Sequence, residues 1–67
     1  MVDPLLQFFT YTHLPLRLRE VSEPFFKLAS WMVEKLPPNP ERTAGLRFLL
    51  QAKDCAVRAV LFEYPES

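Results

Sequence analysis

The residues of this chain best suited to binding an anion lie at the start of one helix and further along the same helix. The segment from Asn39 to Lys53 begins with a capping-type residue, a proline and an acid, and Arg42 and Thr43 follow at once. Backbone N–H groups in the first turn of a helix can bind a phosphate, and the helix dipole favours negative charge there. The alternative is that Arg42 and Thr43 only cap the helix and face solvent.

Lys53 lies on a face of this helix that is otherwise mostly apolar. Residues on one helical face recur every three or four positions. The face comprises Arg42, Leu46, Leu49, Lys53, Ala56 and Val60. A lysine among apolar side chains must reach solvent, pair with a carboxylate or hold an anion. A phosphate contact and a salt bridge to an acid of a neighbouring chain both remain open for Lys53.

Aromatic side chains in the N-terminal segment offer surfaces for a nucleobase. Phe8, Phe9, Tyr11 and His13 lie in this segment, and Trp31 follows later. Base stacking contributes roughly 1 to 3 kcal/mol per base in proteins that bind single strands. Packing in a core or an interface is the favoured alternative for Phe8, Phe9 and Trp31, whereas the two interpretations are balanced for Tyr11.

Residue patterns for catalysis or metal binding are missing from the sequence. It has no Ser-His-Asp arrangement in a suitable context, no glycine-rich phosphate loop and no acidic cluster for magnesium. The single Cys and the distant single His do not have the spacing of a zinc site, and one Cys cannot form an internal disulfide. We therefore expect a non-enzymatic protein that uses no metal and no cofactor.

The charge balance and the apolar runs exclude two further classes of partner. Eight basic and eight acidic residues give a formal net charge of zero. Binding to long nucleic acids depends on an excess of positive charge, so we expect no DNA or RNA polymer as a partner. The apolar runs are far shorter than the roughly 20 residues of a membrane span, and the N-terminus lacks the basic region of a secretory signal. We expect no membrane contact and a cytosolic location.

Prolines divide the chain into an arm and two helices. Pro15 suits the first turn of a helix. A buried face is then predicted from the three- and four-residue spacing of Leu18, Val21, Phe25, Leu28, Met32 and Leu36. These patterns predict an arm over 1–14, a first helix over 15–36 and a second helix over 40–63. Pro24 removes a backbone donor inside the first helix and predicts a kink there.

The connection between the two helices determines the fold class. Asn39, Pro40 and Glu41 combine a capping side chain, a proline at the first helical position and an acid near the positive end of the dipole. Two long helices with so short a connection must pack antiparallel. The sequence therefore predicts an all-α fold, an antiparallel helical hairpin with a short N-terminal arm, as one domain over 1–67.

The second helix carries an additional apolar row, which we call the outer row. Its members are Phe48, Ala52, Cys55, Ala59 and Phe62. One partner helix cannot cover both apolar rows of a helix. A chain of 67 residues, 49% of them apolar, also buries only about 60% of the surface that it exposes when unfolded. We therefore predict a homo-oligomer.

The order of these features resembles a known family. An aromatic arm with Tyr11 and His13 is followed by a kinked first helix. The second helix begins with the residues of 41–44, Glu-Arg-Thr-Ala, and continues with Leu-Gln-Ala at 50–52. In this order the chain is similar to the small helical-hairpin anti-CBASS sponge proteins of bacteriophages, and the similarity covers about residues 8–60.

The resemblance implies a non-enzymatic phage protein that assembles as a homo-oligomer, a hexamer, in the host cytoplasm. It would sequester cyclic di- or trinucleotide second messengers and so keep CBASS effectors inactive. A base would stack on Tyr11, while Arg42, Thr43 and Lys27 would contact phosphates and bases. The candidate ligand-binding residues are Tyr11, His13, Lys27, Arg42, Thr43 and Lys53. The alternative is a small helical protein-interaction or regulatory module of a phage, without a nucleotide ligand.

Overall fold

Two long helices that pack against each other form most of the molecule. The structure is a computed structural model and describes residues 4–63. A short 3₁₀ helix, Pro4–Phe9, precedes helix α1, Leu16–Lys35, and helix α2, Pro40–Leu61. The 3₁₀ helix packs against both long helices, and no strand occurs within the described residues. The predicted all-helical, hairpin-like architecture is confirmed.

The helix bounds lie close to the predicted ones. α1 was expected over 15–36 and α2 over 40–63, so the observed helices begin or end within two residues of these limits. α1 continues through Pro24 without interruption. The predicted arm and domain also include 1–3 and 64–67, which lie outside the described residues.

The turn between the helices has the predicted capping geometry. Asn39 is the N-cap of α2, and its side-chain Oδ1 accepts a hydrogen bond from the backbone N–H of Arg42 at 2.9 Å. Pro40 occupies the start of the helix, and Glu41 supplies the acid of the first turn. This arrangement satisfies one backbone donor that the helix itself leaves without a partner.

The face of α2 that packs inward is the predicted one. Leu46 is fully buried and Lys53 is 9% exposed. The other members of this face, Arg42, Leu49, Ala56 and Val60, are partly buried. The position of Lys53 within the packed face of the hairpin is therefore a property of the fold.

The face of α1 that packs inward overlaps the predicted one only in part. Phe25 and Met32 pack against the core, as predicted. Ser22 and Ala29 are fully buried, whereas Leu28 and Leu36, which were predicted to be buried, are 47% and 37% exposed. The two buried residues are small and stand two helical turns apart. Small side chains let facing helices approach closely, and larger neighbours then fill the space on either side. The contact surface is thus rotated away from the leucines.

The core of this hairpin is small. Within the described residues, the fully buried apolar side chains are Phe9 from the arm, Ala29 from α1 and Leu46 from α2. The radius of gyration is 13.6 Å and the extents are 49 × 23 × 15 Å. A compact domain of this length would have a radius of gyration of about 11 Å. The molecule is therefore elongated, and much of its apolar surface faces outward.

The outer row of α2 is among the exposed surfaces. Phe48 is 69% exposed and Phe62 is 62% exposed. Ala52, Cys55 and Ala59 are exposed as well. α1 leaves this row uncovered, as the sequence predicted, and the expected homo-oligomer stays a prediction.

Candidate functional site

A concave surface lies between the arm and α1, and we call it the arm groove. It has a volume of about 180 Å³ and is lined by Thr10, Tyr11, Thr12 and Phe26. The rings of Tyr11 and Phe26 lie 5.4 Å apart, tilted by 57°. Tyr11 is only partly buried, so part of its side chain remains accessible. The groove thus combines an aromatic surface with hydroxyl groups, which suits a planar polar ligand.

The arm is held in place by its own hydrogen bonds and by one buried ring. Phe9 is fully buried in the hairpin core. The hydroxyl of Thr10 donates to the carbonyl of Gln7 at 3.0 Å, and the N–H of Leu14 donates to the carbonyl of Tyr11 at 3.0 Å. Tyr11 therefore begins a tight turn two positions after the anchored Phe9.

His13 lies in this turn and is exposed to solvent. It follows Tyr11 by two positions, and the turn between them is closed by the bond to the carbonyl of Tyr11. An exposed imidazole near the arm groove is consistent with the predicted ligand contact and equally with an ordinary polar surface residue. The role of His13 stays a prediction.

Lys27 follows Phe26 on α1 and lies beside the arm groove. Its Nζ is 2.8 Å from Oε1 of Glu23, and its side chain is 70% exposed. The hydrogen bond to Glu23 and the charge of Glu23 raise the pKa of Lys27, and Tyr11 raises it further to a smaller extent. The lysine therefore carries a positive charge at neutral pH. Tyr11 contacts Phe26, the residue before Lys27, so the fold places the arm next to this part of α1.

Arg42 is engaged with the end of α1. Its Nη1 donates to the carbonyls of Leu36 at 3.0 Å and Val33 at 3.3 Å. From the level of Val33 to that of Lys27 on α1 is about 9 Å along the helix axis, given 1.5 Å per residue. Within one chain, Arg42 therefore contacts α1 about 9 Å along the helix axis from Lys27, which lies beside the arm groove.

Thr43 lies in the first turn of α2 and is partly buried. Its backbone N–H donates to the carbonyl of Asn39 at 3.1 Å, and that of Arg42 donates to the Asn39 side chain. Both backbone donors are therefore used within the turn. A phosphate at this helix start would be bound chiefly through side chains, among them the Thr43 hydroxyl.

Lys53 makes its polar contact with the arm of its own chain. Its Nζ donates to the carbonyl of Phe8 at 2.5 Å and lies 6.0 Å from the centroid of the Phe9 ring. The sequence left a phosphate or an acid of a neighbouring chain as partners. A backbone carbonyl 45 positions away was not among them. A phosphate contact and a salt bridge to a neighbouring chain both stay predictions for Lys53.

A larger concave surface lies along the outer row. It has a volume of about 470 Å³ and is lined by Cys55, Arg58, Ala59 and Phe62. Nη2 of Arg58 donates to Sγ of Cys55 at 3.3 Å. This surface is mostly apolar with one cation at its edge, which suits an apolar partner surface.

Residues 4–63 show neither a cluster for a metal ion nor a membrane-spanning helix. These residues contain no group of three or more His, Cys, Asp or Glu side chains that could hold a metal ion. Within the same range, neither long helix has a stretch sufficiently long and apolar to cross a bilayer.

Three lining residues of the arm groove were not predicted from the sequence. Phe26 adjoins Phe25, and both rings pack against the core. The three- and four-residue spacing that selects Phe25 does not select its neighbour, so Phe26 was not identified from the pattern. Thr10 and Thr12 flank Tyr11, and their alternation with aromatic residues was the signal that they share its environment.

Comparisons with known proteins give no further assignment. The chain matches no protein-family model, and no similar curated protein or solved structure was found.

Proposed function

We propose that this protein is a phage sponge that binds cyclic di- or trinucleotide second messengers as a homo-oligomer and so prevents activation of CBASS effectors. The observation that carries the proposal is the arm groove with Lys27 beside it. The resemblance of residues 8–60 to anti-CBASS sponge proteins supplies the ligand class. No chemical step is required, because sequestration is a binding equilibrium.

The arm groove has the groups that a nucleotide needs. The partly exposed ring of Tyr11 provides a stacking surface, and the Phe26 ring lies next to it in a tilted contact. Thr12 lines the groove with a hydroxyl group for the polar edge of a base, and the Thr10 oxygen, whose proton is donated to Gln7, can still accept a hydrogen bond. Lys27 provides a positive charge for a phosphate at a solvent-facing position.

The size of the groove supports binding by more than one copy of the chain. Sites for small molecules usually have volumes of about 300 to 1,000 Å³. The arm groove has about 180 Å³, which suits one base better than a whole cyclic dinucleotide. A second copy, placed so that its own side chains complete the groove, would supply the remaining contacts.

The uncovered apolar surface supports the same assembly. Phe48 and Phe62 of the outer row are more than half exposed, as is Trp31 on α1. Large exposed apolar patches usually mark interfaces. In the proposed assembly, Arg42 and Thr43 at one end of the hairpin would reach a ligand held by the arm groove of a neighbouring copy.

A protein-interaction module without a nucleotide ligand is the second candidate. The concave surface of about 470 Å³ along the outer row favours it, because its lining is mostly apolar. In that case the outer row would bind a different protein, and the arm groove would remain empty.

Native mass spectrometry of the purified protein with cyclic di- and trinucleotides tests the proposal. The expected result is a homo-oligomer that carries stoichiometric nucleotide. A linear dinucleotide of the same bases is the control, since it has the same bases and phosphates but is not cyclised. Failure of every cyclic nucleotide to bind would reject the sponge function and favour the interaction module.

A further inference from the structure

Lys53 joins two parts of the chain that are 45 positions apart. Its Nζ donates to the carbonyl of Phe8, near the end of the 3₁₀ helix. Lys53 is 9% exposed whereas Phe8 is 52% exposed, so the partly buried contact lies between the packed face of α2 and the arm. The ammonium also lies 6.0 Å from the centroid of the Phe9 ring, within the range of a cation–π contact.

This bond satisfies a carbonyl that the arm cannot satisfy by itself. The last carbonyl groups of a helix have no partner within that helix. At the end of the 3₁₀ helix, the carbonyl of Gln7 accepts from the Thr10 hydroxyl, and that of Phe8 accepts from Lys53. A positive charge is also favourable at the carboxyl end of a helix. Lys53 thus completes the hydrogen bonding of the segment that precedes Tyr11.

The hairpin itself does not require a cation at this position. A buried charge is costly unless it is paired, and an apolar side chain of similar volume often packs at least as well. Phe8 lies one position before the buried Phe9 and three before Tyr11. The ammonium therefore binds the arm beside its buried residue and close to the position from which Tyr11 leaves the core.

We infer that Lys53 is a positioning residue: by binding the Phe8 carbonyl it holds the arm on the hairpin and sets the orientation of Tyr11 in the arm groove. The effect on the arm follows from the contacts alone. The effect on ligand binding rests on the proposed function.

Hydrogen exchange of the ligand-free protein tests the effect on the arm. In Lys53→Met, which retains a long apolar side chain without the ammonium, backbone amides of residues 5–12 should exchange about tenfold faster, the factor expected for loss of one charge-assisted hydrogen bond. Core amides of α1 and α2 should be unchanged. Lys35→Met, at an exposed position, is the control for loss of one positive charge. Arm exchange equal to that of the control would overturn the inference.

Two further measurements test the inference even if Lys53→Met fails to fold. Lys53→Arg keeps a cationic donor, and its arm should exchange more slowly than that of Lys53→Met. In the wild-type protein, NMR should show Overhauser contacts between the Lys53 side-chain methylene protons next to Nζ and the Phe9 ring. Absence of those contacts would overturn the inference without any variant.

A titration with 3′,3′-cyclic GMP–AMP tests the effect on Tyr11. Lys53→Met should raise the Kd about tenfold while its melting temperature does not fall, a combination that mere loss of folding would not give. An unchanged Kd in a variant whose arm exchanges fast would overturn the orienting role. If the wild-type protein binds no cyclic nucleotide, the proposed function fails, and the exchange measurement still decides the role of Lys53 in the arm.

Discussion

The guanidinium of Arg42, in the first turn of α2, binds the backbone carbonyl of Leu36, the residue at the C-cap of α1. The same Nη1 also donates to the carbonyl of Val33. Carbonyls in the last turn of a helix have no intrahelical partner, and this end of the helix dipole is negative. The Arg42 side chain, at the start of α2, therefore caps the C-terminal end of α1. These hydrogen bonds hold the two helices together at the turn.

Replacement of Arg42 by Met should lower the free energy of unfolding by about 2 kcal/mol, because it removes charge-assisted hydrogen bonds to the end of α1. Urea denaturation followed by circular dichroism measures this change. Arg47→Met, on the exposed face of α2, is the matched control and should change stability by less than about 0.5 kcal/mol. Equal stability of the two variants would show that the Arg42 contacts contribute little in solution.

Gly45 should be replaceable by Ala with a gain in stability. A Cβ at Gly45 would lie 3.1 Å from Cε of Met32, the far end of a flexible side chain that can shift by a few tenths of an ångström. Ala is favoured over Gly inside a helix by about 0.5 to 1 kcal/mol. We expect a net gain of about 0.5 kcal/mol in thermal or urea unfolding. Gly45→Val, with two additional methyl groups, should destabilise the protein, and a stable Val variant would contradict the close approach.

Tyr11→Ala should weaken binding of a cyclic dinucleotide by at least about tenfold, since base stacking contributes roughly 1 to 3 kcal/mol. Tyr11→Phe retains the ring and should bind nearly as well as the wild type. Isothermal titration calorimetry gives both affinities. Phe8→Ala is a control from the same arm, because Phe8 is 52% exposed and does not line the arm groove. Normal binding by Tyr11→Ala would remove the arm groove from the proposed site.

Phe48→Glu should convert the proposed homo-oligomer into smaller species, because it replaces the most exposed large apolar side chain of the outer row with a charge. Sedimentation velocity measures the change. Gln51→Glu introduces the same charge at an exposed position outside the outer row and should leave the assembly intact. An unchanged sedimentation coefficient for Phe48→Glu would show that the outer row is not the interface.

The helix bounds and the inward face of α2 could be predicted because local signals determine them. Asn39 and Pro40 specify a helix start through capping and a fixed backbone angle, and both act there as expected. The three- and four-residue spacing of apolar residues gave the buried positions of Leu46 and Lys53. Neither inference required knowledge of the opposite helix.

The inward face of α1 could be predicted only in part. Phe25 and Met32 pack against the core as expected, but the fully buried positions lie beside them. Hydrophobicity ranks Leu28 and Leu36 above Ser22, yet Ser22 is the buried residue. Which side of a helix packs inward depends on how closely the other helix can approach it. This distance depends on the side chains of both helices. A helix with apolar residues on several sides does not specify that side by itself.

The candidate site was predictable only in its parts. Tyr11 and Lys27 are separate predictions, and no residue pattern indicates that the arm folds back onto α1 so that Tyr11 contacts Phe26, next to Lys27. The bond from Lys53 to Phe8 likewise joins residues 45 positions apart, one of them through its backbone. A backbone carbonyl has the same chemistry at every residue, so residue types could not identify it as the partner.

The exposed outer row also bears on how the protein should respond to temperature and salt. Apolar association weakens on cooling and strengthens in sulfate or phosphate solutions, because these salts are excluded from protein surfaces. An assembly built on Phe48 and Phe62 would therefore loosen in the cold and tighten at high sulfate concentration. An assembly held by ion pairs would instead weaken as the salt concentration rises, since salt screens the attraction between charges. Cold storage at low salt would be the condition under which such an assembly loses its subunits.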